Sequence, residues 1–80
     1  MSEITYGNSV VKVVKFLLSN KGRWITDYEI TNIVPQYGEK IIDELIAYDV
    51  VTTTKDGIYY NENKFDALKT YLKKFGVNVD

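Results

Sequence analysis

Between residues 9 and 20 the chain is apolar except along one narrow stripe. The polar side chains in this stripe are Lys12, Lys15 and Ser19, whose three- and four-residue spacing places them on one side of a helix. Ser9 is a favourable N-cap residue for such a helix. The pattern predicts a first helix over residues 9–20 that is covered on most of its sides.

A second helix is predicted from its start and stop signals. Thr26 and Glu29 have the spacing of a capping box, in which each side chain binds the backbone N–H of the other, so the helix should begin at Asp27. Pro35 disfavours helical geometry in the residue before it and ends the helix at about Ile33. The side expected to face the core consists of Ile30, Ile33 and Val34.

A short extended segment, residues 23–25, precedes this second helix. Its aromatic residue, Trp24, is expected to be buried between the first two helices.

A third helix is predicted from about Glu39 to Tyr48. Its apolar spacing points one stripe to the core, with Ile41 at the margin of that stripe. Asp49 follows, and aspartate tolerates the left-handed backbone geometry that ends a helix. The residues expected in the core stripe are Ile42, Leu45 and Ile46.

A β-hairpin follows directly. Residues 50–54 are all β-branched, and Asp56-Gly57 favours a type I′ turn, which would place Lys55 opposite Ile58 and Thr54 opposite Tyr59. Because side chains alternate along a strand, one of Tyr59 and Tyr60 should lie in the core and the other outside it.

A final helix is predicted from Asn61 or Asn63 to about Phe75, ending at Gly76. It carries an apolar seam with three- and four-residue spacing. The seam should pack either on the first helix of the same chain or on a second copy of the protein, and the sequence leaves both open. Its residues are Phe65, Leu68, Leu72 and Phe75.

Composition narrows the function classes. Eighty residues suffice for one domain with a thin core, and the chain has no cysteine and no histidine. Disulfides, thiolate chemistry, histidine acid–base catalysis and the usual zinc ligand sets are thereby excluded. We expect no enzyme activity, cofactor, metal or small-molecule substrate. With no basic leader at the N-terminus and no apolar run near 20 residues, we predict a cytoplasmic protein without membrane contact.

Charge is unevenly distributed although the whole chain carries only −1. Residues 1–25 have four basic side chains against one acidic, a net charge of +3. Residues 26–49 have one basic side chain against six acidic, a net charge of −5, and residues 50–80 carry +1. The second and third predicted helices therefore form the acidic part of the molecule.

The order of helix, short strand, helix, turn, helix, hairpin and helix resembles the winged helix-turn-helix family. The stretch that carries the resemblance runs from Ile42, Leu45 and Ile46 through Asp49-Val50-Val51 to Gly57-Ile58-Tyr59. It implies an α+β fold with a three-helix core, a short two-stranded wing and an additional C-terminal helix. The domain would span residues 8–75, with an N-terminal extension over residues 1–7 and a C-terminal tail over residues 76–80.

In this family the third helix commonly enters the major groove of DNA and the wing touches the backbone or minor groove. The positions that would face bases here are Gln36, Tyr37, Lys40, Asp43, Glu44 and Ala47. Their acidic members oppose the field of the phosphates, so we expect phosphate contacts from basic edges to dominate. The resemblance thus predicts a homodimeric DNA-binding module of the transcriptional-regulator type. Its expected nucleic-acid contacts are Lys12, Lys15, Lys21, Arg23, Gln36, Tyr37, Lys40 and Lys55, with Lys69, Lys73 and Lys74 added by a second subunit.

The alternative is a protein-interaction module that binds no nucleic acid. This alternative rests on the acidic third helix, which would suit a protein partner with a basic surface. The partner-binding residues expected under this alternative and for a homodimer are Ile41, Asp43, Glu44, Phe65, Leu68, Leu72 and Phe75.

Overall fold

In a computed structural model, which describes residues 5–77, the chain has the predicted α+β class. Within this range there are four α-helices, one 3-10 turn and one two-stranded antiparallel sheet, an order compatible with the winged-helix layout. The elements are α1 (Tyr6–Ser19), α2 (Asp27–Ile33), α3 (Gly38–Ala47), β1 (Val51–Thr54), β2 (Gly57–Tyr60), the 3-10 turn (Glu62–Lys64) and α4 (Phe65–Lys73).

Helix α1 begins three residues before the predicted start. Thr5 is its N-cap, and the Thr5 side chain accepts a hydrogen bond from the Asn8 backbone N–H at 3.1 Å. The prediction that Ser9 caps this helix is wrong, because Ser9 lies buried in its second turn. The predicted domain start at residue 8 consequently falls inside α1.

Helix α2 is capped as predicted. The Glu29 N–H donates to Thr26 Oγ1 at 3.1 Å, and the Thr26 N–H donates to Glu29 Oε2 at 2.8 Å, which completes the capping box. The helix ends at Ile33 as predicted. Its core side is confirmed at Ile30 and Val34, which are buried, whereas Ile33 is half-buried.

Helix α3 is rotated relative to the predicted orientation. Ile42 and Leu45 are buried as expected, but Ile46 is 40% exposed and Ile41 is completely buried. The two isoleucines lie on opposite margins of the same apolar stripe, and the structure turns the Ile41 margin inward. The expectations that Ile46 belongs to the core and that Ile41 binds a partner are therefore both wrong.

The β-hairpin has a different register from the predicted one. Thr54 pairs with Gly57 and Thr53 with Ile58, so Lys55 and Asp56 form the two-residue loop. Asp49 has φ of 63°, as predicted, and it is the one non-glycine residue with positive φ in the described range. Because Lys55 and Asp56 have no positive φ, the loop is not the predicted type I′ turn.

The segment before α2 attaches to the hairpin as a third, one-residue strand. The Ile25 N–H donates to the Ile58 carbonyl at 2.7 Å, and the Ile58 N–H donates to the Ile25 carbonyl at 2.6 Å. The Trp24 side chain consequently lies beside Tyr59 on the outer face of the sheet, with ring centroids 5.1 Å apart. Trp24 is 41% exposed, so the prediction that it is buried is wrong.

Helix α4 closes the core from the C-terminal side. Leu68, Tyr71 and Leu72 are buried, while Phe65 and Phe75 pack half-buried at the two ends of the helix. The apolar seam therefore packs within the same chain. Gly76 has φ of 74°, but α4 ends at Lys73, two residues before the predicted end. The prediction that Asn61 or Asn63 caps this helix is wrong, because a 3-10 turn intervenes and the N-cap is Lys64.

No helix in residues 5–77 combines the length and apolar character needed to cross a lipid bilayer.

Candidate functional site

A groove of about 430 Å³ lies between α3, the β1–β2 hairpin and the start of α2. We call it the α3–hairpin groove. Its lining residues are Thr26, Asp27, Ile42, Ile46, Thr53, Thr54, Lys55, Asp56, Gly57 and Ile58.

The floor of the groove is apolar. Ile42 and Ile58 are nearly covered by the surrounding elements, whereas Ile46 is 40% exposed. Thr53 pairs with Ile58 in the hairpin, so the two side chains lie on the same face of the sheet. A side chain entering the groove would therefore meet aliphatic surface from both α3 and the hairpin.

The rim of the groove is acidic. Asp27 and Asp56 line it directly. Glu39 and Asp43 are exposed and precede Ile42 and Ile46 by three residues, which makes them neighbours of those isoleucines on the surface of α3. Four carboxylates therefore surround the apolar floor, and Lys55 is the one basic residue that lines it.

Glu44 lies on the other side of α3 and is directed toward α1 and α4. Its Oε1 accepts hydrogen bonds from the Tyr6 hydroxyl at 2.6 Å and from the Tyr71 hydroxyl at 2.7 Å. We call these three residues the Glu44 cluster. The expectation that Glu44 faces bases or a partner is wrong, because two tyrosines already occupy its carboxylate.

The pKa values in this cluster follow from burial and from these bonds. Burial raises the pKa of Glu44, but the tyrosine hydroxyls, Lys74 and Lys40 outweigh it, so the pKa lies below its ordinary value. Burial, followed by the bond to Glu44, raises the pKa of Tyr6 to about 12. The same two causes raise the pKa of Tyr71. The cluster is thus an ionised carboxylate held by two neutral phenols.

Lysines surround the cluster without forming ion pairs to it. Lys40 Nζ lies 5.0 Å from the centre of the Tyr6 ring, and Lys74 Nζ lies 5.3 Å from the centre of the Tyr48 ring. Such cation–π contacts hold the ammonium groups near the protein surface. Lys40, predicted to contact nucleic acid, is therefore positioned over an aromatic ring of α1.

The other predicted nucleic-acid residues are dispersed. Lys12 and Gln36 come together at a smaller hollow of about 230 Å³ between α1 and the α2–α3 turn, which also includes Ser9, Ile33, Val34 and Pro35. Lys55 instead lies at the tip of the hairpin, in the α3–hairpin groove. Lys15 and Lys21 are exposed, while Tyr37 is half-buried and packs edge-to-face on Tyr6 at 5.2 Å.

Arg23 is already engaged by its own chain. Its Nη2 forms an ion pair with Glu29 Oε1 at 3.0 Å, and its Nε donates to Asn20 Oδ1 at 3.0 Å. These contacts join the end of α1 to the capping box of α2. The role of Arg23 in the structure is therefore to hold the α1–α2 connection.

Three of the predicted partner-binding residues are inaccessible. Ile41, Leu68 and Leu72 are at most 1% exposed, because they pack against other elements of the same chain. Asp43 is exposed as expected, and Phe65 and Phe75 are half-buried. The α4 seam therefore leaves only its two half-buried ends, Phe65 and Phe75, accessible to a partner.

Sequence reasoning missed the two ends of that groove. Asp27 was visible only as the first residue of α2, and Asp56 only as part of a turn signal. Their positions in the groove depend on how α2 and the hairpin pack against α3, for which the sequence carries no local signal. The exposed isoleucine was present in the apolar pattern but was assigned to the core.

The described part of the chain contains no metal site, and no similar protein is known from the comparisons below. Within residues 5–77 no three acidic side chains converge as a set of metal ligands. Comparisons with protein-family models, curated proteins and solved structures gave no match for this chain.

Proposed function

We propose that the protein is a winged-helix module that binds a basic, apolar segment of a partner protein in the α3–hairpin groove. The observation that carries this proposal is the aliphatic floor of the groove, formed around Ile46, with two carboxylates lining it and two more on the adjacent exposed surface of α3. An apolar patch with a charged rim is the usual composition of a protein-binding surface.

The same surface is poorly suited to DNA. In a winged helix-turn-helix, α3 would be the element that enters the major groove. Duplex DNA presents about one negative charge per 1.7 Å of helix axis, and binding relies on basic residues that displace its counterions. Glu39 and Asp43 would instead bring two carboxylates toward the phosphates. Ile46, the exposed residue beside them, is aliphatic and has no charge or hydrogen-bond donor with which to contact a phosphate.

A displayed library of random peptides tests this proposal. We expect selection on the wild-type protein to enrich sequences in which lysine or arginine neighbours an aliphatic residue. The selected peptides should bind the Asp43→Lys variant at least tenfold more weakly, because the reversed charge repels their basic residues. A Glu62→Lys variant, which places the same charge reversal on an exposed residue that does not line the groove, is the matched control.

The proposal is refuted if selection enriches no basic residues, or if Asp43→Lys and Glu62→Lys weaken the selected peptides equally. Equal weakening would mean that only the overall charge of the protein matters.

DNA binding through basic edges is the second candidate function. Its support is the exposed row of Lys12 and Lys15 on α1, with Lys12 beside Gln36 at the α2–α3 turn. Phosphate contacts of this kind predict affinity for any duplex that falls steeply with salt. Fluorescence anisotropy with a random 20-base-pair duplex at low salt checks this, and Lys12→Glu with Lys15→Glu should abolish the signal. Absence of binding by the wild-type protein at low salt removes this candidate.

The proposed role is non-catalytic, in keeping with a chain that has neither histidine nor cysteine. A homodimer stays a prediction. The apolar α4 seam was one reason to expect it, and this reason is weakened because the seam packs inside the chain. Sedimentation equilibrium at high micromolar concentration decides it, with a monomer as the contrary result.

A further inference from the structure

We infer that the partner segment binds as an additional β-strand along the free edge of β1, with alternate side chains directed into the α3–hairpin groove. This inference rests on the proposed function and specifies the conformation and sequence pattern of the segment. The segment is extended, and its groove-facing positions, every second residue, carry aliphatic residues flanked by basic ones.

The backbone of the hairpin provides the first argument. The N–H and the carbonyl of Ile58 both form hydrogen bonds with Ile25, on the side of β2 that faces away from β1. Thr53 is the cross-strand partner of Ile58, so these two residues form a non-hydrogen-bonded pair. The N–H and carbonyl of Thr53 therefore point outward from the sheet.

The outward groups of Thr53 have no backbone partner from any other segment in residues 5–77. Thr53 is also an exposed residue. A donor and an acceptor on one residue of an edge strand are the attachment points that an added strand uses.

β1 is only four residues long, which limits strand addition, but it carries no proline and no charged side chain. Proteins commonly cover such edges with proline, charged side chains or bulges. β1 consists of Val51 and three consecutive threonines, residues 52–54, and the first charged side chain follows only at Lys55. Threonine is favoured in strands and leaves the edge available.

The position of the groove provides the second argument. Thr53 and Ile58 lie on the face of the sheet that looks toward α3. Every second side chain of a strand added beside Thr53 would point to the same face and meet Ile46. Aliphatic residues at these positions would cover the exposed isoleucine.

Charge complementarity identifies the remaining residues of the segment. Asp27, Asp43 and Asp56 lie around the groove, against the single basic lining residue Lys55. Lysine or arginine at the groove-facing positions on either side of the aliphatic ones would reach this acidic rim. A segment with acidic residues at those positions would be repelled.

A synthetic, fluorescently labelled octapeptide, Lys-Thr-Val-Thr-Val-Thr-Lys-Thr in sequence, is the probe, because its lysines and valines share one face of a strand. Its affinity is measured by anisotropy for the wild-type protein and for Thr53→Pro, which removes the outward N–H. Proline is tolerated on an edge strand where its nitrogen faces solvent, so the pairing of β1 with β2 should survive. Thr53→Val, which keeps the N–H, is the matched control.

We expect Thr53→Pro to weaken the octapeptide at least tenfold and Thr53→Val to change its affinity less than twofold. The same octapeptide with alternate backbone nitrogens methylated should also bind the wild-type protein at least tenfold more weakly. This second measurement keeps the inference falsifiable if Thr53→Pro does not fold, which circular dichroism reveals. The same octapeptide with both lysines replaced by glutamate should not bind.

The outcomes separate the two proposals. If Asp43→Lys abolishes binding whereas Thr53→Pro and backbone methylation do not, strand addition is overturned and docking in the groove stands. If Thr53→Pro and methylation abolish binding whereas Asp43→Lys does not, the strand is added but the acidic rim has no part in recognition. If the wild-type protein binds neither this octapeptide nor any library peptide, both proposals are overturned.

Discussion

Replacing Glu44 with glutamine should destabilise the fold even though the shape of the side chain hardly changes. Both tyrosine hydroxyls of the Glu44 cluster donate to the same oxygen, Oε1, at 2.6 and 2.7 Å. Distances this short are typical of O–H donors bound to an ionised acceptor. The carbonyl oxygen of a glutamine could keep both bonds, so the substitution removes the charge and leaves the geometry.

The expected loss follows from the difference between charged and neutral hydrogen bonds. A bond to a charged group contributes about 1.5 to 3 kcal/mol and a neutral one about 0.5 to 1.5 kcal/mol. Two bonds that each lose their charge assistance should therefore cost about 2 kcal/mol together. Folding free energies are about 0.05 to 0.15 kcal/mol per residue, so this loss is a large part of the stability of so small a domain.

Urea unfolding followed by circular dichroism at pH 7 measures this loss. With a urea dependence of about 1 to 2 kcal/mol per molar for a chain of this size, the midpoint of Glu44→Gln should fall by about 1 to 2 M. Asp43→Asn is the matched control, because it neutralises the adjacent, exposed carboxylate of the same helix. Its unfolding free energy should stay within about 0.5 kcal/mol of the wild-type value.

Acidification provides a second check on the same carboxylate. The pKa of Glu44 in the folded protein lies below its ordinary value of 4.5. Its ionised form therefore contributes stability above pH 4.5, and this contribution is lost as the pH falls through the folded pKa. The difference between wild type and Glu44→Gln should shrink below pH 4.5. A Glu44→Gln protein as stable as wild type at pH 7, or a difference that persists unchanged at pH 2.5, would refute this account of the cluster.

Three further predictions concern the caps, the hairpin and alkaline pH. Thr26→Ala removes one half of the capping box and should lower the unfolding free energy by about 1 kcal/mol, a loss that an unchanged urea midpoint would contradict. Gly57→Ala should lower the unfolding free energy more than Gly22→Ala in the same assay. A Cβ at Gly57, where φ is 127°, would lie 2.6 Å from the Ile25 carbonyl oxygen, whereas one at Gly22 meets nothing within 4 Å. Equal losses of free energy in the two variants would exclude this clash as the cause. The pKa of Tyr6 is raised from 10.0 to about 12, so its neutral form contributes stability below pH 10 that is lost as the pH rises toward 12. The unfolding free energy should therefore fall between these pH values, and it should fall less in Tyr6→Phe. An equal fall in both proteins would contradict the assignment to Tyr6.

Local signals in the sequence predicted local structure well. The capping box at Thr26 and Glu29 fixed the start of α2, and Asp49 took the positive φ expected at the end of α3. Both features depend on residues within one turn of each other. The α+β class followed from the helical spacings and the β-branched segment, and it is confirmed.

Features that depend on the packing of distant elements were predicted less well. The sequence could not decide which margin of the α3 stripe, Ile41 or Ile46, would face inward, because both are equally apolar. The Thr5 cap was missed because Ser9, four residues later, is an equally favourable capping residue. The hairpin loop lies one residue earlier than predicted, and Gly57 packs close to the Ile25 carbonyl, a contact that no turn propensity encodes.

The Glu44 cluster was beyond sequence reasoning for the same reason. Its hydrogen bonds join residues separated by 38 and 27 positions. A glutamate on the polar side of a helix has no local feature that distinguishes a solvated carboxylate from one that binds two tyrosines. The acidic face predicted for α3 therefore kept Asp43 and lost Glu44.

The packing of Tyr6 on Phe75, with ring centroids 5.6 Å apart, joins the beginning of α1 to the turn after α4. This contact closes nearly the whole described chain into a single loop, and the entropy of closing a loop grows with its length. We therefore expect it to form late in folding, after the capping box of α2 and the hairpin have assembled. Breaking this contact should loosen the beginning of α1 and the end of α4 at the same time. The amide hydrogens of these two helix ends should therefore exchange with solvent at similar rates.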